Sequence, residues 1–294
     1  MQRIVVIGGG ITGLLVARAL GDEVTLLDRD VPPKNSLAGL WNVMPPLCGE
    51  LRKECEESAK EYEELAEELG VKAHWKEIIR IPPKGDKVLT QRETAEMEPN
   101  LPYESEIVGR GLHLDGEDLI RKLSKNVKRA RVTSLLVEGN ILTGLRTDEG
   151  VVKGDLYVFA IGNDPEGILR GLSISSYKGH LVKSSPLGIR NIVMLEDRLG
   201  VEDTYALLNG DSYPSSNPSV DREQVKRTLE VFRRYMGKPV EPLEIRVGFR
   251  AITPESPLVK RIYDNAILVT GHRFGWALAP ILAKKVKNLV ERSQ

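Results

Sequence analysis

The chain has 294 residues, which suits two connected domains better than a single core. Its 42 Lys and Arg balance 42 Asp and Glu, so no net charge favours nucleic acid or an anionic membrane as a partner. No run approaches the roughly 18 apolar residues of a membrane span, and a first predicted strand beginning at Gln2 leaves no room for a signal peptide. We therefore expect a cytoplasmic protein without a membrane span, and the 29% of charged residues suggests a thermophile.

The amino-terminal stretch carries a pattern typical of nucleotide-binding proteins. The apolar run Ile4–Ile7 predicts a buried strand, and three glycines follow it in the spacing Gly-x-Gly-x-x-Gly. Gly8 permits a tight turn, Gly10 lets a pyrophosphate approach the backbone, and Gly13 allows close packing of the next helix on the strand. The sequence therefore predicts a dinucleotide site here.

A helix and a second strand complete this unit. The helix is predicted over Thr12–Leu20, and the N–H groups at its start, near Ile11, are expected to face the phosphates. The strand Glu23–Leu27 ends at Asp28, about 20 residues beyond the first glycine, where a carboxylate binds a ribose hydroxyl. Although Arg29 follows, Asp28 argues against a 2′-phosphate, so FAD or NAD is expected with both residues near its adenosine.

The remaining pattern divides into an α/β part and a β-rich part. After an extended loop over 31–46, the first part is predicted as helix 50–69, strand 71–81, helix 90–97, strand 107–114, helix 117–127, a hairpin of 131–138 and 141–147, and strand 156–161. The second part is predicted as strands 177–184, 188–195 and 204–208, helix 222–236, strands 244–249 and 266–270, and a final helix 276–291.

The two cysteines are assigned to the neighbourhood of the long acidic helix. Cys48 and Cys55 lie seven residues apart, a spacing that places them on one helix face but does not suit a metal site. We predict neither a disulfide framework nor a bound metal.

The order of these elements predicts the fold class. The dinucleotide sheet needs strands from the beginning, middle and end of the chain, so we predict an α/β fold. In this fold a Rossmann-like FAD-binding domain carries an inserted β-rich (α+β) substrate domain. The FAD-binding domain is predicted over 1–80, 112–168 and 258–294, and the substrate domain over 81–111 and 169–257. This interrupted order disfavours an NAD-binding regulatory protein.

Five stretches in collinear order strengthen this interpretation. They are Ile4–Asp28, Ala38–Trp41, Ala160–Gly162, Gly248–Pro254 and Gly271–Pro280. Together they resemble the D-amino acid oxidase-like superfamily of FAD-dependent oxidoreductases, which includes glycine, sarcosine and D-amino acid oxidases and dye-linked amino acid dehydrogenases. The sequence departs from the family pattern at Ala251, where proline is usual, at Glu255-Ser256, where Asp-Gly is usual, and at Arg273-Phe274, where Gly-Gly is usual.

The resemblance implies non-covalent FAD and an enzyme that removes a hydride from the carbon bearing an amine. Arg250 is the implied ligand of a substrate carboxylate, while His272 and Tyr205 are further candidates near the substrate. The implied cofactor contacts beyond the first unit are Gly39, Leu40, Trp41, Ala160, Gly162, Gly271, Arg273, Phe274, Gly275 and Trp276.

Two alternatives stay open at this point. The chain is shorter than typical family members, which is compatible with a flavin-binding non-catalytic protein or a partner subunit of a larger dehydrogenase complex. The other alternative is FAD-dependent oxidation of a 2-hydroxy acid. A small-molecule amine or amino acid is the expected substrate, the electron acceptor is left open, and a homo-oligomer or a partner subunit is compatible with the sequence.

Overall fold

A computed structural model describes residues 2–164, 166–169, 171–255, 257–270 and 273–292. The strands are β1 Ile4–Ile7, β2 Thr25–Asp28, β3 Asn42–Val43, β4 Ala73–Ile81, β5 Glu106–Leu114, β6 Val127–Arg129, β7 Val132–Glu138, β8 Ile141–Thr147, β9 Gly150–Val152, β10 Leu156–Phe159, β11 Ser175–Ser184, β12 Ile192–Leu195, β13 Arg198–Glu202, β14 Ala206–Asn209, β15 Tyr213–Pro214, β16 Pro242–Ile252, β17 Leu258–Tyr263 and β18 Ala266–Thr270. The helices are α1 Ile11–Leu20, α2 Arg52–Leu69, α3 Gln91–Met97, α4 Gly116–Leu123, α5 Arg222–Met236 and α6 Gly275–Glu291.

The first sheet has six strands in the order β17-β18-β10-β1-β2-β6. β1 pairs in parallel with β10 on one side and β2 on the other, and only β17 is antiparallel to its neighbour. Strands from the beginning, middle and end of the chain therefore meet in one sheet, as predicted. Their apolar runs are buried because helices α1 and α6 cover one face and the small sheet β7-β8-β9 packs on the other.

The second sheet has nine strands and forms the β-rich part of the molecule. Its order is β15-β11-β14-β13-β12-β4-β5-β3, and β16 pairs with β11 along almost the whole length of both strands. Helix α5 covers a core on this sheet through Val225, Leu229 and Phe232. The mixed α/β fold class is confirmed, whereas the domain boundaries stay a prediction.

Several element predictions hold and some are wrong. The bounds of α5 and β18 are confirmed at both ends, and the hairpin of β7 and β8 is present. The prediction of an extended loop over 31–46 is wrong, because this segment contains a 3₁₀ helix, Asn35–Ala38, and strand β3. Strand β17 was not predicted, since Lys260 and Arg261 interrupt its apolar pattern on an exposed sheet edge.

The prediction that the cysteines form no disulfide is wrong. Cys48 and Cys55 are bonded, with their Cα atoms 6.6 Å apart. The reason is local: Gly49 has a φ of +59°, which turns the chain before the helix, so Cys48 lies outside α2 while Cys55 lies within it. In the described parts of the chain, no helix combines the length and the apolar character that crossing a bilayer requires.

Candidate active site

A single long cavity of about 880 Å³ brings the predicted site residues together. Its wall is formed by four chain segments that are distant in sequence, residues 7–12, 160–164, 248–251 and 273–277, with further residues from the loop after β2. The volume falls within the range of sites that enclose a cofactor or a drug-sized ligand. One end of the cavity lies at the β1–α1 turn, and the other lies beside β14 and β16.

The β1–α1 turn requires glycine at two of its three fingerprint positions, Gly8 and Gly13. Gly8 has a φ of +110°, and a Cβ there would overlap the carbonyl oxygen of Ala160. A Cβ at Gly13 would overlap the carbonyl oxygen of Gly8, so helix and strand pack without space for a side chain. Gly10 precedes α1 without any side-chain cap, which leaves N–H groups of the first turn available to an anion.

Asp28 is held in place at the carboxyl end of β2. Its two carboxylate oxygens accept hydrogen bonds from the backbone N–H groups of Gly9, at 2.6 Å, and Asp30, at 2.7 Å. Arg29 lines the same end of the cavity, but its guanidinium is paired with Glu166 at 3.1 Å. A carboxylate at this position and a paired arginine suit a ribose hydroxyl better than a 2′-phosphate.

Ser36 links three cavity walls and was not among the predicted site residues. Its hydroxyl oxygen accepts the Ile11 N–H at 2.9 Å, at the start of α1. Its carbonyl oxygen accepts the indole N–H groups of both Trp41, at 3.0 Å, and Trp276, at 2.9 Å. Trp41 has a φ of +55°, and a Cβ at Gly116 would overlap its ring. The two tryptophans are thus fixed where the loop after β2 meets α6.

Asn42 is a buried polar residue of the cavity wall. Its Oδ1 lies 2.6 Å from Nδ1 of His113, and its Nδ2 has no hydrogen-bond partner among the described residues. Burial lowers the pKa of His113 to about 4, so the imidazole is neutral at physiological pH. Asn42 therefore keeps an unused donor next to a neutral histidine.

Arg250 stands at the other end of the cavity, on β16. Its guanidinium donates to the carbonyl oxygen of Asp211 at 3.2 Å and to Oδ1 of Asn209 at 3.4 Å. It has room because residue 179 is glycine: a Cβ there would lie 2.5 Å from an Arg250 nitrogen. Burial lowers the pKa of Arg250, the Asp211 charge opposes this, and the positive charge of Arg273 lowers it further. Arg250 is thus a cation whose hydrogen-bond acceptors are neutral oxygens.

The carboxylate of Asp211 is bonded to a buried histidine. It accepts hydrogen bonds from the backbone N–H of His180, at 2.8 Å, and from Nδ1 of its ring, at 2.5 Å. Nε2 of His180 accepts the Asp221 N–H at 3.0 Å, which leaves Nδ1 to donate to Asp211. Tyr213 donates to Asp221 at 2.9 Å, and burial together with this carboxylate raises its pKa to about 12. This network anchors the loop that presents the Asp211 carbonyl to Arg250.

The structure places most of the predicted residues on the cavity wall. Gly13 lies behind the wall and packs the helix, and Tyr205 is 41% exposed under the Lys183 ammonium rather than in the cavity. Gly271 and His272 lie outside the described residues. The predicted residues that line the cavity are Gly8, Gly10, Ile11, Thr12, Asp28, Arg29, Gly39, Leu40, Trp41, Ala160, Gly162, Arg250, Arg273, Phe274, Gly275 and Trp276.

The fold and the cavity together define a class of protein. A parallel sheet with a glycine-rich turn, an acid at the end of β2 and a second sheet across the cavity are the parts of a dinucleotide-dependent oxidoreductase. The chain belongs to the DAO family of FAD-dependent oxidoreductases, because the model of that family matches residues 3–84 and 79–289. FAD is the cofactor of this family. The open backbone at Gly8 and Gly10 and the oriented carboxylate of Asp28 fit its pyrophosphate and ribose.

Individual relatives agree with this assignment. The chain is 28% identical over 172 residues to a D-amino acid dehydrogenase of Vibrio cholerae serotype O1, a match that covers 50% of this chain and 39% of that protein. The fold is similar to glycine oxidase from Bacillus cereus ATCC 14579, with a TM-score of 0.85 and 21% identity over 100% of this chain and 96% of the other. It is also similar to L-proline dehydrogenase from P. horikoshii, with a TM-score of 0.81 and 20% identity over 100% and 94%.

Proposed function

We propose that this protein is an enzyme that uses FAD to oxidise the C–N bond of an amino acid or of a related amine. The observation that carries this proposal is Arg250, a cavity cation that donates only to neutral oxygens among the described residues. A carboxylate matches the fork of a guanidinium, so it is the ligand expected there. The names of the relatives, a D-amino acid dehydrogenase, a glycine oxidase and an L-proline dehydrogenase, support an amino acid as the substrate.

The nucleotide end of the cavity is proposed to hold the adenosine and pyrophosphate. The N–H groups around Gly10 and Thr12 would bind phosphate oxygens, assisted by the positive end of α1. Asp28 would accept a ribose hydroxyl. The hydroxyl of Ser36, which accepts the Ile11 N–H, keeps its own proton to donate to a phosphate oxygen.

The substrate end is proposed to orient the amino acid against the flavin. When bound, the flavin would supply the acceptor for a hydride from the carbon that carries the nitrogen, and the imine product would then hydrolyse. Arg250 would fix the carboxylate, and the apolar side chains of Met194 and Leu199 on the same wall would exclude water. The start of α6 at Gly275, with no side-chain cap, turns a partial positive charge to the cavity.

Other features of the protein are proposed on the sequence alone. They are the two-domain division given above, a place of action in the cytoplasm and a high working temperature. Assembly as a homo-oligomer or with a partner subunit is also proposed on the sequence alone, and so are the contacts of Gly271 and His272 with the flavin.

The test is an anaerobic titration of the purified, FAD-loaded protein. The flavin band near ~450 nm should be bleached by at least one compound in a panel of D- and L-amino acids, glycine, sarcosine and proline. Arg250→Met should abolish bleaching, while Arg227→Met, at an exposed position of α5, should not. A second panel of 2-hydroxy acids is added in the same way. Bleaching only by these acids would favour that chemistry instead, and a yellow protein that neither panel bleaches would favour a non-catalytic subunit. A colourless protein that does not bind added FAD would overturn the proposal.

A further inference from the structure

The ionisable residues of the cavity wall are distributed unevenly between its two ends. The nucleotide end carries Asp28, Arg29, Asp30, Lys34, Arg129, Asp164 and Glu166. Here Arg29 is paired with Glu166, and Lys34 with Asp30. Acids and bases therefore nearly balance where the nucleotide is proposed to bind.

The substrate end has two arginines and one acid. Arg250 donates to neutral oxygens, and the contact recorded for the Arg273 guanidinium is the ring of Phe274, 5.9 Å from its centroid. Within the described residues, neither arginine forms an ion pair with a carboxylate. The acid, Asp197, is 72% exposed and already bonded to Arg198 at 2.8 Å. Two cations thus lack an anionic partner at this end.

Arg250 and Arg273 both lie at the substrate end of the cavity. Both line the cavity, and the positive charge of Arg273 is close enough to lower the pKa of Arg250. Like charges held together are unfavourable unless anions join them, and one carboxylate neutralises only one guanidinium. The Asp211 carboxylate acts on Arg250 through its charge, but both of its oxygens accept hydrogen bonds from His180, so among the described residues it forms no ion pair with Arg250 or Arg273.

We propose that the substrate end binds a ligand with two acid groups, one carboxylate on Arg250 and the other on Arg273. The substrate class is then an amino acid or secondary amine that carries a second carboxylate. This proposal rests on the proposed function and narrows it. Arg273 is the specificity-determining residue, since it is the second arginine that lines this end of the cavity.

The test compares succinate with butyrate, two four-carbon acids that differ in the second carboxylate. Each is titrated into the FAD-loaded protein, and binding is followed by the change in the visible flavin spectrum. Succinate should bind at least about tenfold more tightly than butyrate, the effect of one charge-assisted contact. Arg273→Gln should bring succinate to the level of butyrate measured in the same variant, whereas the control Arg227→Gln should keep the preference.

The outcomes separate the two proposals. Equal binding of succinate and butyrate in the parent protein, both weakened by Arg250→Gln, would overturn the second carboxylate site and leave the proposed function intact. The second carboxylate site would also be overturned, with the proposed function intact, if Arg273→Gln shifts the flavin reduction potential but not the succinate preference. Arg273 would then act on the flavin. If Arg250→Gln changes the affinity for neither succinate nor butyrate, the proposed carboxylate site at Arg250 is wrong as well.

Discussion

The two ends of the cavity are built in different ways. At the nucleotide end, the groups proposed to bind phosphate and ribose lie close together in the chain, from Gly8 to Ser36. They are backbone N–H groups and a carboxylate held by two such groups, although Arg129, Asp164 and Glu166 also line this end. The substrate end is assembled from separate strands: Arg250 on β16, Asn209 on β14 and Gly179 on β11. One end thus depends on local backbone shape, and the other depends on the register of a sheet.

This difference determines how each end recognises a ligand. Backbone N–H groups at a helix start bind phosphate whatever the side chains are, so such a site tolerates variation outside its glycines and its acid. Two guanidinium groups recognise the number and placement of carboxylates, so single substitutions there change specificity. We expect substitutions at the two ends to have separable effects.

The largest effect is expected at the nucleotide end, from Gly13→Ala. The added methyl would overlap the Gly8 carbonyl oxygen, so the strand and helix must move apart. We expect a loss of at least about 3 kcal/mol in the free energy of unfolding, measured with urea, and loss of FAD binding.

Gly275→Ala is the matched control for this change. A Cβ at Gly275, the first residue of α6, has no heavy atom within 4 Å. The free energy of unfolding should stay within about 0.5 kcal/mol of the parent protein. Equal losses in the two variants would contradict the tight contact described at Gly13.

Sequence patterns predicted the nucleotide end because its signals are local. The glycine spacing around Gly10, the strand before it and the acid at Asp28 all lie in one short stretch, and the structure brings them together. Asn209 and Gly179 meet Arg250 only through the pairing of β11 with β14 and β16, which no local pattern encodes.

Two further features were hidden for physical reasons. Ser36 lay within a proline-rich stretch predicted as an extended loop, although it forms part of a 3₁₀ helix that contacts α1. Cys48 was assigned to a helix, but the positive φ of Gly49 turns it towards Cys55. Of Arg250, Asn209 and Gly179, which meet at the substrate end, Arg250 alone is indicated by the sequence, because it lies in a stretch similar to a family motif.

A second prediction concerns pH and the buried His113 beside Asn42. Its pKa in the folded protein is about 4, against 6.5 for an unperturbed histidine, so the unfolded chain binds the proton more readily between these values. The free energy of unfolding should be unaffected above pH 6.5 and should fall as the pH drops, by about 2 kcal/mol at pH 5 and about 3 kcal/mol below pH 4.

His113→Gln isolates this contribution from those of the carboxylates. Urea unfolding at pH 7 and pH 5 should show a drop about 2 kcal/mol smaller in the variant than in the parent protein. An identical drop in both proteins would contradict a neutral His113 in the folded state.

The smallest expected effect is that of the disulfide between Cys48 and Cys55. Because it closes a short loop, its reduction should lower the free energy of unfolding by about 2 kcal/mol. Urea unfolding with and without dithiothreitol measures this, and the double variant Cys48→Ser/Cys55→Ser should be insensitive to the reductant. A response to dithiothreitol in that variant would show that the loss arises elsewhere.

The most direct test of the two-ended cavity is a crossed binding measurement with two variants and two ligands. Asp28→Asn and Arg250→Met are titrated with FAD as apoproteins and with butyrate as FAD-loaded proteins. We predict that Asp28→Asn weakens FAD about tenfold and leaves butyrate unchanged. We predict that Arg250→Met weakens butyrate by at least about 30-fold and leaves FAD within about twofold. Weakening of the same ligand by both variants, or unchanged butyrate binding in Arg250→Met, would contradict the account.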